Sequence, residues 1–290
     1  MDGRVVSKKL KEEMSLQIKA ILAEGQRAPH LVAILVGNDG ASQTYVAAKE
    51  KACGEVGFRS TVLRFAAAIS ESELLHEIQK VNDDDEVDGL IVQLPIPKHI
   101  SPDKVINQID PKKDVDGFHP VNVGKMVQNL PGFVAATPLG ILKMIEYYNI
   151  SIRGKHCVIV GRSKTVGTPM SILLSRDSNT GDGTVTLCHS RTVDLESYTR
   201  SADILVVALG KPEFITGDMV KEGVVVIDVG ITRVPSSTNK SGFLLKGDVK
   251  FDEVSPKCSF ITPVPGGVGP MTIVALLQNT LSAYKNIIYA

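Results

Sequence analysis

The sequence has no net charge, no long apolar run and few cysteines. Its 32 Lys and Arg residues balance 32 Asp and Glu residues, so no overall field favours nucleic acid or an anionic membrane as the main partner. No apolar stretch approaches the roughly twenty residues that span a bilayer, and the N-terminal Met-Asp-Gly-Arg lacks the apolar core of a signal peptide. We therefore expect a soluble, cytoplasmic chain with no nucleic-acid or membrane partner, although local basic positions can still bind a small anion.

Cysteines at metal-binding spacing are also missing. The sequence contains no Cys-x-x-Cys pair and no histidine at zinc-ligand spacing. Scattered thiols of this kind usually serve as small, reduced apolar side chains. We therefore expect no metal site. The four cysteines are Cys53, Cys157, Cys188 and Cys258.

What remains is the composition of an ordinary globular protein. Hydrophobic residues make up 43% of the 290 positions and charged residues 22%, a balance that can build a sizeable interior. A chain of this length is long for a single core, so we expect one large domain or two modest ones.

The first half of the chain alternates between helix-like and strand-like segments. Apolar spacing and turn residues predict helices over 7–24, 42–56 and 72–81 and strands over 31–36, 60–65 and 89–92. Ser7 is a possible cap of the first helix, and Gly57 is a plausible stop for the second. The β-α-β-α-β order implies a parallel sheet with helices on its faces.

A second alternation follows a loop-rich stretch over 110–132, which holds at most a short helix near 124–128. It predicts strands over 157–160, 184–188, 204–208 and 224–227, helices over 169–174 and 272–284, and surface loops over 177–183 and 235–242. The last helix could return to the first domain. The predicted fold is α/β with two parallel-sheet domains: residues 1–137 completed by a helix over 270–290, and a Rossmann-type domain over 138–269.

The turn after strand 157–160 predicts a dinucleotide site. It reads Gly161-Arg162-Ser163-Lys164-Thr165-Val166-Gly167 and leads into a helix, whose N-terminus offers unpaired N–H groups and partial positive charge to a pyrophosphate. Gly161 permits a tight turn, and Gly167 permits close approach of the helix. The spacing is not the common Gly-x-Gly-x-x-Gly, so an ordinary strand-turn-helix connection is the alternative.

The end of the next strand bears on the type of cofactor. A typical NAD binder has a carboxylate there for the ribose hydroxyls, but this strand ends in His189-Ser190-Arg191-Thr192. Arg162, Ser190 and Arg191 could instead contact a 2′-phosphate, which favours NADP. A solvated surface charge explains Arg191 equally well.

Further residues with catalytic potential lie before this turn. Tyr45 and Lys49, four residues apart, share one face of helix 42–56, although most such pairs are exposed helix surface. Short-chain dehydrogenases place this motif after their dinucleotide turn, so the order here argues against that class. Gln93 lies at the end of a predicted parallel strand, where open sheets bind ligands.

Two loops complete the set. Asp114-Val115-Asp116-Gly117-Phe118 offers carboxylates that can accept paired hydrogen bonds from an amino-pyrimidinone ring. The glycine-rich turn 263–272 enters the last helix, and the alternative is a helix-entry loop that binds nothing.

Taken together, these segments resemble the bifunctional methylenetetrahydrofolate dehydrogenase/cyclohydrolases. The resemblance covers nearly the whole chain and runs through Tyr45-x-x-x-Lys49, Val92-Gln93-Leu94-Pro95, Lys113-Asp114-Val115-Asp116-Gly117-Phe118, Gly161-Arg162-Ser163, His189-Ser190-Arg191-Thr192 and Pro265-Gly266-Gly267-Val268-Gly269-Pro270. It implies NADP-dependent oxidation of 5,10-methylenetetrahydrofolate to the methenyl form, and hydrolysis of that product to 10-formyltetrahydrofolate, in one cleft between the domains. It also implies a homodimer.

The resemblance assigns roles to individual residues. Lys49 would be the key acid/base residue, Tyr45 a stacking and positioning partner, Gln93 the residue that holds Lys49, and Asp116 the ligand of the pterin edge. The implied folate contacts are Tyr45, Lys49, Val92, Gln93, Leu94, Asp116, Pro265, Gly266, Gly267, Val268 and Gly269. The implied NADP contacts are Gly161, Arg162, Ser163, Val166, Gly167, His189, Ser190, Arg191, Thr192, Gly230 and Ile231.

Two rival functions are compatible with parts of the pattern. A shikimate-type dehydrogenase shares the second domain, but it gives no reason for Gln93, Asp116 and the turn 265–269 to occur together. A dinucleotide-sensing regulatory protein would bind NADP and leave methylenetetrahydrofolate unchanged.

Overall fold

The computed structural model describes residues 1–237, 239 and 242–289. The chain divides into two compact units. One, the three-stranded unit, joins Lys8–Ala136 with Ile273–Ala290. The other, the five-stranded unit, joins Met1–Ser7 with Thr137–Thr272.

The helices and strands follow one another in regular alternation. The first part of the chain contains α1 (Gly3–Ala23), β1 (His30–Val36), α2 (Gly40–Val56), β2 (Arg59–Phe65), α3 (Glu71–Asn82), β3 (Gly89–Val92), α4 (Pro102–Gln108) and α5 (Pro120–Val127). The second part contains α6 (Ala136–Tyr147), β4 (His156–Val160), α7 (Gly167–Ser175), β5 (Thr184–Cys188), α8 (Leu195–Ser201), β6 (Ile204–Val207), β7 (Val224–Asp228), β8 (Thr232–Pro235), β9 (Phe243–Lys246), α9 (Phe251–Val254), β10 (Cys258–Ile261) and α10 (Val268–Tyr284).

The three-stranded unit is built on a parallel sheet in the order β2-β1-β3. β1 is central and buried along its whole length, as its uninterrupted apolar run predicts. Local signals set the helix ends: the Asp39 carboxylate accepts the N–H of Ser42 at 2.7 Å at the start of α2, and Gly57 ends that helix at a φ of 90°. The predicted parallel sheet of the first half is confirmed.

The first helix begins earlier than its pattern indicated. Ser7 was the expected cap, but α1 starts at Gly3 and buries Ser7 in its second turn. The reason is a distant contact: the N–H of Gly3 donates to the carbonyl of Gly266 at 2.9 Å. Residues 1–7 consequently group with the five-stranded unit, and here the compact units differ from the predicted boundaries.

The five-stranded unit has the parallel order β10-β7-β6-β4-β5, with β8 and β9 as a separate antiparallel hairpin. Strands β4 to β7 match the predicted segments to within a residue or two. Helix α6, strand β10 and the hairpin were not predicted. The loop expected over 235–242 is wrong at its first residue, because Pro235 is the last residue of β8. Thr238, Lys240 and Ser241 of that segment lie outside the described residues.

Within each parallel sheet the strands all end on the same side, so the loops that follow them lie together there. We call this side of each sheet its carboxyl edge. In the described parts of the chain, no helix is long and apolar enough to cross a bilayer, and no His, Cys, Asp and Glu side chains are grouped to hold a metal. All four cysteines are free thiols.

The buried imidazole of His30 makes the three-stranded unit sensitive to acid. Nδ1 lies 3.1 Å from the carbonyl of Glu86 and Nε2 lies 2.9 Å from Oγ1 of Thr61. Burial lowers the pKa of His30 below its usual value of 6.5. Stability from the neutral ring is therefore complete above pH 6.5 and is lost as the pH falls through the folded-state pKa, because the unfolded chain binds the proton more readily.

We expect the free energy of unfolding to fall less steeply between pH 7 and pH 5 in His30→Gln than in the wild type. Denaturant titrations across that range measure the difference. His76→Gln, which changes an exposed histidine of α3, should leave the wild-type slope unchanged. Equal slopes in all three proteins would show that His30 is not the titrating group.

Candidate active site

Helix α2 and strand β3 bring a lysine and a glutamine together. Lys49, only 8% exposed, places Nζ 3.1 Å from Oε1 of Gln93. Gln93 is itself fixed, because its N–H donates to the carbonyl of Ile34 at 2.9 Å and its Nε2 donates to the carbonyl of Leu94 at 2.8 Å. With its amide nitrogen engaged, Gln93 presents an oxygen to Lys49. Tyr45, 39% exposed, lies one helical turn before Lys49.

The loop between α4 and α5 adds Asp116 to this cluster. Its half-buried carboxyl group has a raised pKa because of burial, and the positive charge of Lys49 lowers that pKa in part. The backbone is held as well, since the Asp116 carbonyl accepts the N–H of Ala136 at 3.2 Å. Within the three-stranded unit, Lys49, Gln93 and Asp116 therefore form one polar site at the carboxyl edge of the sheet.

The other carboxylate of this loop has a different task. Asp114 is buried and accepts the N–H of His119 at 2.8 Å, the N–H of Phe118 at 3.2 Å and Nδ2 of Asn122 at 2.9 Å. Burial raises the pKa of Asp114 to about 6. The two acidic residues of this loop thus have different surroundings: Asp114 fastens the loop, and Asp116, which the resemblance had singled out, lies at the site.

Helix α10 supports the same loop through a residue that the sequence reading missed. Asn279, 4% exposed, donates from Nδ2 to the carbonyl of Val115 at 2.8 Å and to the carbonyl of Val134 at 3.0 Å. Both bonds hold backbone next to Asp116. Val115 is the residue before it, and Val134 lies two residues before Ala136, whose N–H donates to the Asp116 carbonyl. An amide among the apolar residues of a helix was the available signal, but its partners are more than 140 positions away.

In the five-stranded unit, the turn after β4 leaves no room for side chains at its two glycines. Gly161 has a φ of 123°, and a Cβ there would lie 2.2 Å from the carbonyl oxygen of Ala208. A Cβ at Gly167 would lie 1.8 Å from the carbonyl oxygen of Gly161. Helix α7 thus begins in contact with the strand end, which is the close approach that a pyrophosphate-binding turn needs.

Polar groups line that turn. Oγ of Ser163 accepts the N–H of Val166 at 3.1 Å and the N–H of Gly167 at 3.4 Å. Arg162 and Lys164 are exposed beside it. Small residues, a helix N-terminus and cationic side chains at one strand end match the requirements of a dinucleotide pyrophosphate.

The end of β5 forms a second polar turn. The N–H of His189 donates to Oγ1 of Thr192 at 2.9 Å, and the N–H of Thr192 donates to the carbonyl of His189 at 2.9 Å. This turn exposes the side chains of Ser190 and Arg191. It contains no carboxylate, so its chemistry fits a phosphate better than the hydroxyls of an unphosphorylated ribose.

Of the remaining expected contacts, Val92 ends β3 and Leu94 follows it, so both lie in the three-stranded unit, whereas the others lie in the five-stranded unit. A small cavity is lined by Asp228, Val229, Ile231 and Pro263–Gly269. Gly266 has a φ of 107°, and a Cβ at Gly269 would lie 3.2 Å from Cδ1 of Ile231. The glycines of this segment therefore allow close packing against the loop that follows β7.

Comparison with known proteins identifies the same family in the N-terminal and the C-terminal part of the chain. Residues 1–116 match the family model for the catalytic domain of tetrahydrofolate dehydrogenase/cyclohydrolase, and residues 135–288 match the NAD(P)-binding domain of the same family. The bifunctional protein FolD of Bacteroides fragilis is 58% identical over 289 residues, covering 100% of this chain and 99% of that protein.

Solved structures give the same result. The bifunctional methylenetetrahydrofolate dehydrogenase/cyclohydrolase FolD of Campylobacter jejuni is 48% identical with a TM-score of 0.92, covering 99% of this chain and 98% of that one. The Trypanosoma brucei enzyme, solved with NADP and an inhibitor, is 36% identical with a TM-score of 0.94, covering 100% and 98%. The chain therefore belongs to the bifunctional methylenetetrahydrofolate dehydrogenase/cyclohydrolase family and is an NADP-dependent enzyme of folate one-carbon chemistry.

Proposed function

We propose that this chain oxidises 5,10-methylenetetrahydrofolate with NADP⁺ and then hydrolyses the methenyl product to 10-formyltetrahydrofolate, with Lys49 as the residue that moves the proton in hydrolysis. The observation that carries the proposal is the contact of 3.1 Å between Nζ of Lys49 and Oε1 of Gln93. A lysine held in place at the carboxyl edge of a parallel sheet, with a carboxylate beside it, is suited to acid/base work on a bound ring.

In hydrolysis, water attacks the methenyl carbon, and a base must take the proton that the water loses. The methenyl ring is cationic and repels an ammonium nearby, so it favours proton loss from Lys49. The neutral amine then accepts the proton of the attacking water as the C–O bond forms. The resulting ammonium gives that proton to the ring nitrogen when its bond to the one-carbon unit breaks, and the remaining hydroxyl proton passes to solvent as the formyl carbonyl forms. Gln93 can orient the nitrogen throughout, because its oxygen accepts a hydrogen bond from either form of the amine.

Asp116 and Tyr45 would position the folate. A carboxylate can accept two hydrogen bonds from the amino-pyrimidinone edge of a pterin. Burial raises the pKa of Asp116, and a pterin ring bound to this carboxyl group would be shielded from water in the same place. The exposed ring of Tyr45 offers a stacking surface one turn from Lys49. Val92, Leu94 and the segment Pro265-Gly266-Gly267-Val268-Gly269 would supply the remaining folate contacts.

When bound, NADP supplies the acceptor for the hydride of the one-carbon bridge. Gly161, Arg162, Ser163, Val166 and Gly167 would hold its pyrophosphate. His189, Ser190, Arg191 and Thr192 would hold the phosphorylated ribose, with Gly230 and Ile231 as further contacts. The protein's own contribution to hydride transfer is orientation, because holding the two reactants in register lowers the entropic barrier.

This proposal assigns folate binding to residues 1–137 with the C-terminal helix, and NADP binding to residues 138–269. Membership of the family supports a homodimer joined through the NADP-binding domains. The free thiols are compatible with a reducing compartment, and we propose the cytoplasm.

An absorbance assay tests the activity directly. Purified protein is mixed with methylenetetrahydrofolate and either NADP⁺ or NAD⁺, and formation of the reduced cofactor and of the methenyl product is followed. A regulatory NADP-binding protein would bind the cofactor without reducing it. Absence of reduction with both cofactors would remove the enzymatic function.

Replacing Lys49 should separate hydrolysis from cofactor binding. We expect Lys49→Met to lower the rate of methenyl hydrolysis by about 10²- to 10⁴-fold, the usual contribution of a general base, while the Kd for NADP stays near the wild-type value. Lys51→Met, on the same helix and exposed, is the matched control and should retain activity. Wild-type hydrolysis by Lys49→Met would exclude Lys49 from the mechanism.

Replacing Arg191 should change the preference between the two dinucleotides. Loss of a charge-assisted bond to the 2′-phosphate corresponds to about 1.5–3 kcal/mol, so Arg191→Ala should raise the KM for NADP about 10- to 100-fold and that for NAD little. Arg200→Ala, which removes an exposed arginine of α8, is the control. If both KM values rose equally, the preference would have to arise elsewhere.

Replacing Asn279 should weaken folate binding from a distance. Asn279→Leu leaves the carbonyls of Val115 and Val134 without their donor, so the loop that carries Asp116 should loosen and the KM for the folate should rise several-fold. Stability should fall by about 1–3 kcal/mol. Thr280→Val removes a hydrogen bond of 2.9 Å within the same helix, and it should lower stability without changing that KM. Steady-state kinetics and denaturant unfolding of both variants distinguish the two effects.

A further inference from the structure

Two buried carboxylates lie in the five-stranded unit: Asp228, which also lines the small cavity beside Pro263–Gly269, and Asp248. Asp228 is the last residue of β7 and is 3% exposed. Asp248 follows β9 and is 0% exposed. A buried carboxylate is costly unless hydrogen-bond donors surround it, and here the donors are backbone N–H groups.

Asp248 holds the loop that follows β6. Its carboxylate accepts the N–H of Leu209 at 2.5 Å, the N–H of Gly210 at 2.9 Å and the N–H of Lys211 at 2.7 Å. Three successive N–H groups can converge on one anion only in a turn, and Gly210 supplies the positive φ of 67°. The conformation of this loop therefore depends on Asp248.

Asp228 holds the loop that follows β7 and also the segment that carries Asp248. Its carboxylate accepts the N–H of Gly230, the N–H of Asp248 and the N–H of Val249, each at 3.0 Å. Asp228 therefore holds the backbone of Asp248, and Asp248 in turn holds the loop after β6.

Glycines allow both carboxylates to fit. A Cβ at Gly230 would lie 2.2 Å from Cγ of Asp248, and a Cβ at Gly247 would lie 1.9 Å from Oδ2 of Asp228. Burial, reinforced by the charge of Asp248, raises the pKa of Asp228 to about 7. The two carboxylates are thus tightly packed against the backbone at these two glycines.

These loops lie at the carboxyl edge of the sheet, beside the turn after β4. The carbonyl of Ala208, next to the first residue that Asp248 holds, is the group that leaves Gly161 no room for a side chain. Gly230, which Asp228 holds, is one of the expected cofactor contacts. The loops that follow β4, β6 and β7 are therefore interlocked through these two residues.

We infer that Asp248 and Asp228 are positioning residues for the cofactor: they set the backbone of the loops after β6 and β7 on which NADP binding depends. The inference rests on the proposed assignment of NADP to this unit. A purely stabilising contact would affect only the stability of the protein. Loss of either carboxylate should instead weaken NADP binding even when the protein is folded.

The test is Asp248→Asn in the full-length protein. An amide has the same shape, but its NH₂ group cannot accept, so at least one of the three N–H groups loses its acceptor and the loop is held less firmly. We expect the Kd for NADP, measured by titration calorimetry, to rise at least 10-fold, with less than a 3-fold change in the KM for the folate. Asp228→Asn should shift the same constants in the same direction, and it provides the answer alone if Asp248→Asn does not fold.

Asp203→Asn is the matched control. Asp203 lies at the opposite, amino edge of the same sheet, where its carboxylate accepts the N–H of His156 at 2.8 Å and pairs with Nζ of Lys221 at 2.6 Å. This variant should keep the wild-type Kd for NADP even if its Tm falls. Near-ultraviolet circular dichroism confirms that each variant is folded at the assay temperature.

Two results would overturn the inference. One is a wild-type Kd for NADP in a folded Asp248→Asn or Asp228→Asn protein. The other is an equal rise in the Kd for NADP in Asp203→Asn, which would indicate general loosening of the sheet. Failure of the proposed function is a separate outcome, because it would appear in the wild type as no reduction of NADP⁺ by methylenetetrahydrofolate.

Discussion

Backbone groups at the ends of parallel strands lack partners within the sheet, and they need hydrogen bonds elsewhere when they are buried. In both units of this protein, buried carboxylate and amide side chains supply those bonds. Asp114 and Asn279 do so around the loop that carries Asp116. Asp228 and Asp248 do so around the loops after β7 and β6. These buried contacts hold the loops on which the proposed folate and NADP contacts lie.

The arrangement explains why the site can be built largely from loops. Loops usually have several accessible conformations, whereas catalysis requires one. A side chain that accepts or donates two or three backbone hydrogen bonds selects a single conformation, and burial makes each bond harder to exchange for water. Gln93 illustrates the principle on a smaller scale, since its engaged amide nitrogen leaves only an oxygen for Lys49.

The sequence predicted what depends on neighbouring residues. Uninterrupted apolar runs located β1 and β4, and a glycine in the left-handed region marked the end of α2. The motifs around Lys49 and Gly161 pointed to the correct family. The start of α1 was wrong because a contact with Gly266 fixes it. Asn279 and Asp248 were missed for the same reason, since their partners are distant in the chain and a single sequence does not reveal them.

The close approach of Gly230 to Asp248 has a consequence for how this sequence can diverge. With 2.2 Å between a Cβ at position 230 and the carboxyl carbon, alanine cannot enter until the residue at 248 becomes smaller. A smaller residue at 248 would first leave the N–H groups of the loop after β6 without their acceptor. Each single step is therefore unfavourable. We therefore expect residues 230 and 248 to be substituted together or to stay unchanged.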